Sequence, residues 1–410
     1  MRNKRQMNDQ RVESLDVLKG VALILIIFFH SSIYNYANIH KIDFSNPPII
    51  VVVMSFMALW GGIFIICSMT VNALMTLKRM ESGKDFIIFS NLMITGVILI
   101  FFHYILNIFM GRWNNDFVNN KLDMTVVAGS LRNGHLTFPL ITKFFEGSPL
   151  STIALNLIAL SLVLFLMIRG NGLKKENRNH FILGFSGFLI MILSFVRVSL
   201  FPLLTQSIES HNYLLASLFG FVFANPYPIL PYLAYGIFGL MIGLMIYQNR
   251  RGLLKKVIIP TGIFFFVFGL IGMLNFEKTI SKPDYFWYFK TNFELGLFLL
   301  LLTFTYLVIE PRISILGRLS VVKWFSRISL SVYMLETLTS EILRIILFKL
   351  APSWNQTING CLMFGGLNVV FWIALLFLWR KIDFKYSLEY FWVLFSAKTG
   401  KISTKMDCLP

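Results

Sequence analysis

Asp16, Lys19 and His30 are ionisable side chains that share one apolar run near the N-terminus, LDVLKGVALILIIFFH. On an α-helix Asp16 and Lys19 are neighbours, because residues three apart lie on one face. Lys19 and His30 are about three full turns apart, so they share this face to within roughly 20° and lie roughly 16 Å apart along the axis. His30 is the candidate general base, since a histidine can transfer a proton near neutral pH.

Each of these side chains also has a purely structural interpretation. Asp16 and Lys19 lie near the start of the run, where an interfacial ion pair with a lysine reaching towards water is as good an account as function. A neutral His30 could satisfy both ring nitrogens by packing against other helices. A histidine after so many apolar residues is nevertheless costly in a membrane unless it is paired or hydrated, so we favour a functional role.

A second group of charged residues lies in a late apolar run and consists of Glu336, Glu341 and Arg344. Glu341 and Arg344 are three residues apart and are predicted to form a local pair. Glu336 has no evident partner in its own helix. It is predicted either to meet His30 or Lys19 across a bundle or to face water. His103 and Arg197 are weaker candidates of the same kind.

The composition indicates the solvent in which these residues must be placed. Of 410 residues, 56% are hydrophobic and only 14% are charged, whereas soluble domains carry roughly 25% charged residues. The net charge of +17 comes from short basic clusters between apolar runs, a pattern of membrane topology and not of nucleic acid binding. Cys67, Cys361 and Cys408 are too scattered for a disulfide framework or a zinc site, so no metal is expected.

The predicted fold is all-α, a polytopic membrane bundle of about ten transmembrane helices. Runs long enough to cross the bilayer lie near residues 15–36, 49–77, 86–110, 150–168, 181–201, 228–247, 257–275, 291–309, 328–350 and 359–379. A shorter run at 214–223 is predicted to be re-entrant or interfacial, with a split span as the alternative.

Basic clusters recur in alternate loops, which by the positive-inside rule predicts that both termini are cytoplasmic. We therefore expect a basic cytoplasmic N-terminus (1–14), a transmembrane domain (15–379) and a cytoplasmic tail (380–410) that lies at the interface. No cleavage site follows the first run, so that span is expected to remain. The loop 111–149, with Arg132 and His135, is predicted to cover or help form an outward-facing site. A multi-pass plasma membrane protein is expected.

The run RVESLDVLKGVALILIIFFH resembles the first helix of the transmembrane acyltransferases, a superfamily that includes the acyltransferase-3 family and heparan-alpha-glucosaminide N-acetyltransferase. Arg11, Asp16, Lys19-Gly20 and His30 fit that pattern, with Lys19 in place of the commoner arginine. The second run, from Trp60 to Ser68, is similar to the second helix of the family, although Met69 stands where glycine is usual.

Three later segments extend the resemblance along the chain. ANPYPILPYLAYGIFGLMIGL resembles a proline-aromatic start of a glycine-rich helix, and SRISLSVYMLE resembles a late helix in which glutamine or histidine often replaces Glu336. WRKIDFKYSLEYFW is similar to the C-terminal signature of a related group of bacterial membrane proteins.

The resemblance implies an enzyme that takes an acyl group, commonly acetyl, from cytoplasmic acyl-CoA to a hydroxyl or amine of an extracytoplasmic glycan or lipid-linked sugar. His30 would be the general base, and Lys19 would lie near the CoA phosphates or stabilise developing charge. Asp16 and Glu336 complete the predicted catalytic set. His40 is a second candidate base, although a solvated loop histidine is the simpler interpretation.

Acyl-CoA, as donor substrate, is the one cofactor that this reading implies, and membrane lipids and the acceptor are its other partners. Four basic residues are candidates to bind the CoA phosphates, although the positive-inside rule already explains them: Lys78, Arg79, Arg250 and Arg251.

Two other function classes compete with the acyltransferase. In a proton-coupled secondary transporter, Asp16, Lys19, His30 and Glu336 would relay protons, but the paired halves with matching broken helices that mark many transporters are not evident. A scaffold without chemistry leaves His30 unexplained. The acceptor, the acyl chain, the choice between O- and N-acylation and the oligomeric state are left open.

Overall fold

Helices make up nearly all of the structure, a computed structural model that describes residues 12–39, 42, 48–58, 60–80, 85–112, 114–116, 121–168, 175–223, 226–276 and 284–398. Arg11 and His40 lie outside the described residues. The helices are α1 Glu13–Ile33, α2 Ile49–Ala58, α3 Gly61–Met80, α4 Asp85–Tyr104, α5 Val126–Asn133, α6 Pro149–Ile168, α7 Glu176–Leu193, α8 Arg197–Glu209, α9 Tyr213–Phe223, α10 Ile229–Tyr247, α11 Ile259–Asn275, α12 Tyr285–Phe304, α13 Ile313–Arg318, α14 Ser320–Arg327, α15 Ser329–Leu350, α16 Ile358–Arg380 and α17 Leu388–Lys398.

Shorter elements extend or join these helices. A π-helical turn follows α4 (Ile105–Met110), another precedes α11 (Leu254–Ile258) and a third follows α12 (Thr305–Ile309). Strands β1 (Asn114–Asp116) and β2 (Lys121–Asp123) pair antiparallel in the loop after α4, with Asn115 opposite Leu122.

Within the described ranges, nine helical segments are long and apolar enough to cross a membrane. They are Glu13–Ile33, Gly61–Arg79, Phe89–Met110, Ile141–Met167, Glu176–Glu209, Ile229–Tyr247, Arg251–Asn275, Tyr285–Ile309 and Ile358–Arg380. These segments coincide with nine of the predicted spans, which confirms a multi-pass bundle by length and composition.

The structure departs from the predicted spans at two places. The run 49–77 is two helices, α2 and α3, and only α3 is long enough to cross a bilayer. Helix α15 forms over the predicted ninth span but carries Glu336, Glu341 and Arg344, so its composition sets it apart from the nine apolar segments. The short run 214–223 is the separate helix α9.

Helix α10 forms the centre of the larger core cluster. It is apolar on all sides, and 78% of its span is buried, as expected for a helix surrounded by other helices. It packs against α3, α6 and α7, with Tyr235, Phe238 and Met241 fully enclosed. A smaller cluster joins α1 to α14 and α16 through Leu23, Ile27, Phe325 and Trp372.

Two glycines bring neighbouring helices directly against α1. A Cβ at Gly20 would collide with the carbonyl oxygen of Val322 in α14, and a Cβ at Gly365 of α16 would crowd the carbonyl of Phe28. The glycine of the Lys19-Gly20 pair therefore allows backbone contact next to Lys19. These contacts fix α1 at both ends of the stripe that holds Lys19 and His30.

Candidate functional site

His30 and Glu336 meet across the bundle, in the last turn of α1 and the middle of α15. His30 Nδ1 lies 2.8 Å from Glu336 Oε1. A third residue, Arg112, donates from Nη2 to the same carboxylate oxygen and also lies against His30 Nδ1. We call these three residues the His30 cluster.

Burial and chemistry assign roles within the His30 cluster. The Glu336 side chain is 5% exposed, whereas that of His30 is 22% exposed. An arginine can only donate, so Glu336 Oε1 is the shared acceptor. With its proton on Nδ1, His30 donates to the carboxylate and presents a lone pair on Nε2. Within the described residues Nε2 makes no hydrogen bond, so the ring is oriented by a buried anion and reachable on its other side.

Backbone contacts in the loop after α4 hold Arg112 in place. The π-helical turn ends at Gly111, whose carbonyl accepts from Thr125 Oγ1 at 2.6 Å. The buried Lys143 donates from Nζ to the Arg112 carbonyl at 3.4 Å, and Asn107 donates to the Lys143 carbonyl at 3.2 Å. Burial lowers the pKa of the Arg112 guanidinium, and the neighbouring Glu336 opposes this effect.

Tyrosines surround the His30 cluster. The Arg112 guanidinium lies 4.8 Å from the centre of the Tyr34 ring, within the range of a cation–π interaction, and the Tyr34 and His30 rings meet edge to face at 6.0 Å. Tyr333 precedes Glu336 by three residues on α15 and therefore lies on the same helix face.

A second ion cluster braces the same end of the bundle. Glu341, 1% exposed, accepts from Arg132 Nη1 at 2.9 Å and from Arg344 Nε at 2.7 Å. Arg132 also donates to Asn35 Oδ1 at 3.1 Å, which ties the loop to α1. The predicted Glu341–Arg344 pair is confirmed, and Arg132 is an additional partner. Burial lowers the pKa of Arg132, and Glu341 opposes this effect.

The two clusters share a small cleft with a volume of about 10 Å³, which is room for about one water molecule. Its lining includes His30, Arg112, Glu336 and Glu341. His135, also in the loop, is exposed and bonds only locally, to the Asn133 carbonyl at 3.2 Å. The loop therefore contributes arginines, and not His135, to this site.

Asp16 and Lys19 lie at the other end of α1, and both are buried. Asp16 Oδ1 accepts from Ser326 Oγ of α14 at 2.9 Å. The neighbouring Ser14 amide donates to Glu310 at 2.7 Å. The structure thus places these predicted residues apart from the His30 cluster, in a polar junction between α1 and the segment after α12.

A cavity of about 180 Å³ lies between these two ends. We call it the apolar cavity. Its lining includes Lys19, Ile26, Ser68, Thr95, Tyr333 and Trp392. Lys19 lies at one end of α1, and Tyr333 adjoins the His30 cluster. The cavity therefore extends from Lys19 to the surroundings of the His30 cluster.

The four predicted CoA-binding residues lie at one end of the bundle. Gly239 and Gly243 of α10 contact Met69 and Ala73 of α3, so these helices run parallel and end together. Lys78 and Arg79 are in the last turn of α3, and two more basic residues follow α10. Arg250 pairs with Glu176 across a solvent-exposed contact, while the guanidinium of Arg251 lies 5.7 Å from the Tyr306 ring.

The weaker candidates have structural partners. His103 is buried, and its Nδ1 lies 2.8 Å from Ser148 Oγ. The buried guanidinium of Arg197 lies 3.6 Å from the Trp287 ring and bonds to the Phe223 carbonyl. Helix packing therefore explains both side chains.

Arg112 is the main site residue that the sequence did not reveal. It lies at the start of a long polar loop, and no spacing rule connects it with His30 or Glu336. Glu389 was also missed: it lies in α17, within the predicted interfacial tail, and its carboxylate accepts hydrogen bonds from the start of α15.

Neither a family model nor a curated protein matches the chain. In the part of the chain that the structure describes, no three His, Cys, Asp or Glu residues are grouped so that they could hold a metal ion.

Proposed function

We propose that this protein is a membrane acyltransferase that moves an acyl group from cytoplasmic acyl-CoA to a hydroxyl or amine of an extracytoplasmic glycan or lipid-linked sugar. The contact between His30 Nδ1 and Glu336 Oε1 carries the proposal. A carboxylate that fixes one ring nitrogen leaves the other as a base and stabilises the imidazolium that forms. The first-helix resemblance supports the same chemistry.

In the proposed reaction, His30 Nε2 takes the proton of the acceptor hydroxyl or amine as that group attacks the thioester carbonyl. A bond forms between the acceptor and the carbonyl carbon, and the carbon–sulfur bond breaks. The imidazolium then returns the proton to the departing CoA sulfur. Glu336 stabilises the imidazolium, and Arg112 keeps the buried carboxylate charged and in place.

Charge at the two ends of the bundle supports a crossing reaction. The basic residues in the last turn of α3 and those that follow α10 are suited to a CoA phosphate on the predicted cytoplasmic side. The His30 cluster lies beneath the 111–149 loop, on the predicted outer side. Both termini are cytoplasmic in this proposal, as the alternation of basic loops indicates.

The function is tested with protein purified into lipid nanodiscs and supplied with radiolabelled acetyl-CoA and a glycan fraction from the source membrane. We expect label in the glycan and release of free CoA. A parallel measurement in liposomes without acyl-CoA follows proton flux. Flux without any acyl transfer would replace the acyltransferase with a proton-coupled transporter.

A second test asks whether the basic residues bind the CoA phosphates or only follow the positive-inside rule. Lys78→Gln combined with Arg79→Gln is expected to raise the KM for acyl-CoA while leaving kcat unchanged, because the phosphates lie far from the reacting carbonyl. Arg312→Gln, at an exposed basic position in another loop of the same predicted side, is the matched control. An equal KM for the double variant and for Arg312→Gln would show that Lys78 and Arg79 are not part of the donor site.

A further inference from the structure

The apolar cavity differs in chemistry from the polar sites at either end of it. Most of its wall is hydrocarbon, contributed by side chains such as Ile26, Phe64, Ile98 and Phe102. Hydrocarbon walls favour an apolar occupant, since a polar group placed there would lose its hydrogen bonds to water without replacement.

The polar side chains in the middle of the wall already bond to their own helices. Asn72 Nδ2 donates to the Ser68 carbonyl at 2.8 Å, and Thr95 Oγ1 donates to the Asn91 carbonyl at 2.7 Å. These two side chains are therefore already satisfied and do not require a polar ligand. A hydrocarbon chain needs no hydrogen-bond partner.

The tail helix α17 forms the end of the cavity next to the start of α15. Its lining includes Leu388, Glu389 and Trp392. Glu389 accepts from the Leu330 amide at 2.7 Å and from Ser331 Oγ at 2.6 Å, so its carboxylate is engaged by the start of α15. The Ser331 hydroxyl in turn accepts from the Leu388 amide at 2.8 Å.

The position of the cavity in the bundle points to the lipid phase. Helix α4 contributes Thr95, Ile98 and Phe102 to the wall, and only 17% of the Phe89–Met110 span is buried. The central helix α10, of which 78% is buried, contributes no residue to the described lining. A chain from the bilayer would therefore have to pass one peripheral helix only.

The geometry points to an amphiphilic acceptor, a lipid-linked sugar whose hydroxyl or amine reaches the His30 cluster while part of its hydrocarbon tail occupies the apolar cavity. This inference rests on the proposed function and names its acceptor class. Tyr333 joins the two parts, because it lines the cavity and precedes Glu336 by one helical turn on α15.

The volume limits how much of the tail is bound. An apolar cavity of about 150 Å³ holds benzene, a molecule of six carbons. The 180 Å³ available here therefore accommodates roughly six to eight carbons of a chain. We expect the affinity for the acceptor to rise with the length of its alkyl chain up to about that number of carbons and then to level off.

The test uses alkyl glucosides as defined acceptors, at concentrations below micelle formation, with acetyl-CoA and protein in nanodiscs. Methyl, butyl, hexyl, octyl and decyl β-glucosides are compared by KM for acyl transfer and by binding with the donor omitted. Octyl glucoside is expected to have a lower KM and a lower Kd than methyl glucoside. Decyl glucoside is expected to bring no further gain.

A matched pair of variants on α4 locates the chain. Thr95→Phe fills the cavity, whereas Val97→Phe adds the same ring two residues away, at a side chain that is 58% exposed. Overpacking costs of the usual size predict a loss of about tenfold or more in affinity for octyl glucoside in Thr95→Phe, and none in Val97→Phe. Binding of methyl glucoside is unchanged in both.

Two results would overturn the inference: equal KM values for methyl and octyl glucoside, or equal losses of octyl glucoside binding in both variants. Its failure is distinguishable from that of the proposed function. Transfer to methyl and octyl glucoside alike would keep the acyltransferase and remove the tail site. Octyl glucoside binding that Thr95→Phe alone abolishes, without acyl transfer to any glucoside, would keep the tail site and remove the acyltransferase.

Discussion

His30 Nδ1 lies 2.8 Å from Glu336 Oε1, although the two residues are 306 positions apart in the chain. One comes from the first membrane helix and the other from the charged helix α15. Their contact joins the first apolar run of the chain to a carboxylate for which the sequence offered no partner in its own helix.

Glu336→Gln is expected to lower kcat for acyl transfer by about 10²- to 10⁴-fold, because the amide cannot stabilise the imidazolium. The KM for acyl-CoA changes little, since the carboxylate does not touch the donor in this account. The measurement is steady-state kinetics at several donor concentrations. A variant with the kcat of the unmodified protein would show that Glu336 has only a structural role.

Arg112 is expected to stabilise the fold as well as the site. Arg112→Met leaves the 5% exposed Glu336 carboxylate without its cation, and breaking such a pair costs about 3–5 kcal/mol of unfolding free energy. Arg112→Lys keeps the charge but loses the planar fork, so it should recover stability better than activity. Chemical denaturation in micelles measures the unfolding free energy of both Arg112 variants, with exposed Arg312→Met as the control. Equal stability of Arg112→Met and Arg312→Met would contradict the pairing.

The second ion cluster is predicted to respond asymmetrically to mutation. Glu341→Gln deprives Arg132 and Arg344 of one carboxylate, whereas Arg132→Gln leaves the Glu341–Arg344 pair in place. We expect the first variant to be the less stable, and a double-mutant cycle to give a coupling of about 0.5–3 kcal/mol between Glu341 and Arg132. A coupling near zero would mean that the loop is not held to α15 by this contact.

Glu389 should make the docking of α17 depend on pH. Burial raises the pKa of its carboxyl above the ordinary value, and hydrogen bonds from Ser331 and from backbone amides oppose this effect. A group whose pKa is higher in the folded chain stabilises the fold fully below the unfolded pKa, about 4.3 for glutamate, and loses that contribution as pH rises through the folded value.

The melting temperature is therefore expected to fall with rising pH across this interval, and Glu389→Gln, which stays neutral, should lack that step. Thermal unfolding followed from pH 4 upward in nanodiscs measures the difference. Parallel curves for the two proteins would show that Glu389 does not titrate in this range.

Hydropathy predicted most of the fold, because a span needs about 20 apolar residues and such runs are visible in one dimension. Hydropathy failed for the apolar stretch 49–77, which looked continuous. One helix ends there at Ala58 and the next begins at Gly61. Hydropathy also could not classify α15, whose charges are tolerated because Glu341 is enclosed by two arginines.

The site was predictable only in part, for a physical reason. His30 and Glu336 were identifiable because ionisable groups are costly in an apolar run. Arg112 lies in a polar loop, where a cation costs nothing, so only the folded loop reveals that Lys143 and Thr125 aim it at Glu336. The separation of Asp16 and Lys19 from His30 did follow from helical periodicity.

The most direct test of the central claim is acyl transfer by His30→Ala beside His135→Ala, which removes an exposed histidine of the outer loop. Both proteins are compared in nanodiscs with radiolabelled acetyl-CoA and the same glycan fraction, at equal amounts of folded protein. We predict a loss of about hundredfold or more for His30→Ala, the usual minimum for removal of a general base, and an unchanged rate for His135→Ala. Equal rates for His30→Ala and the unmodified protein would contradict that claim.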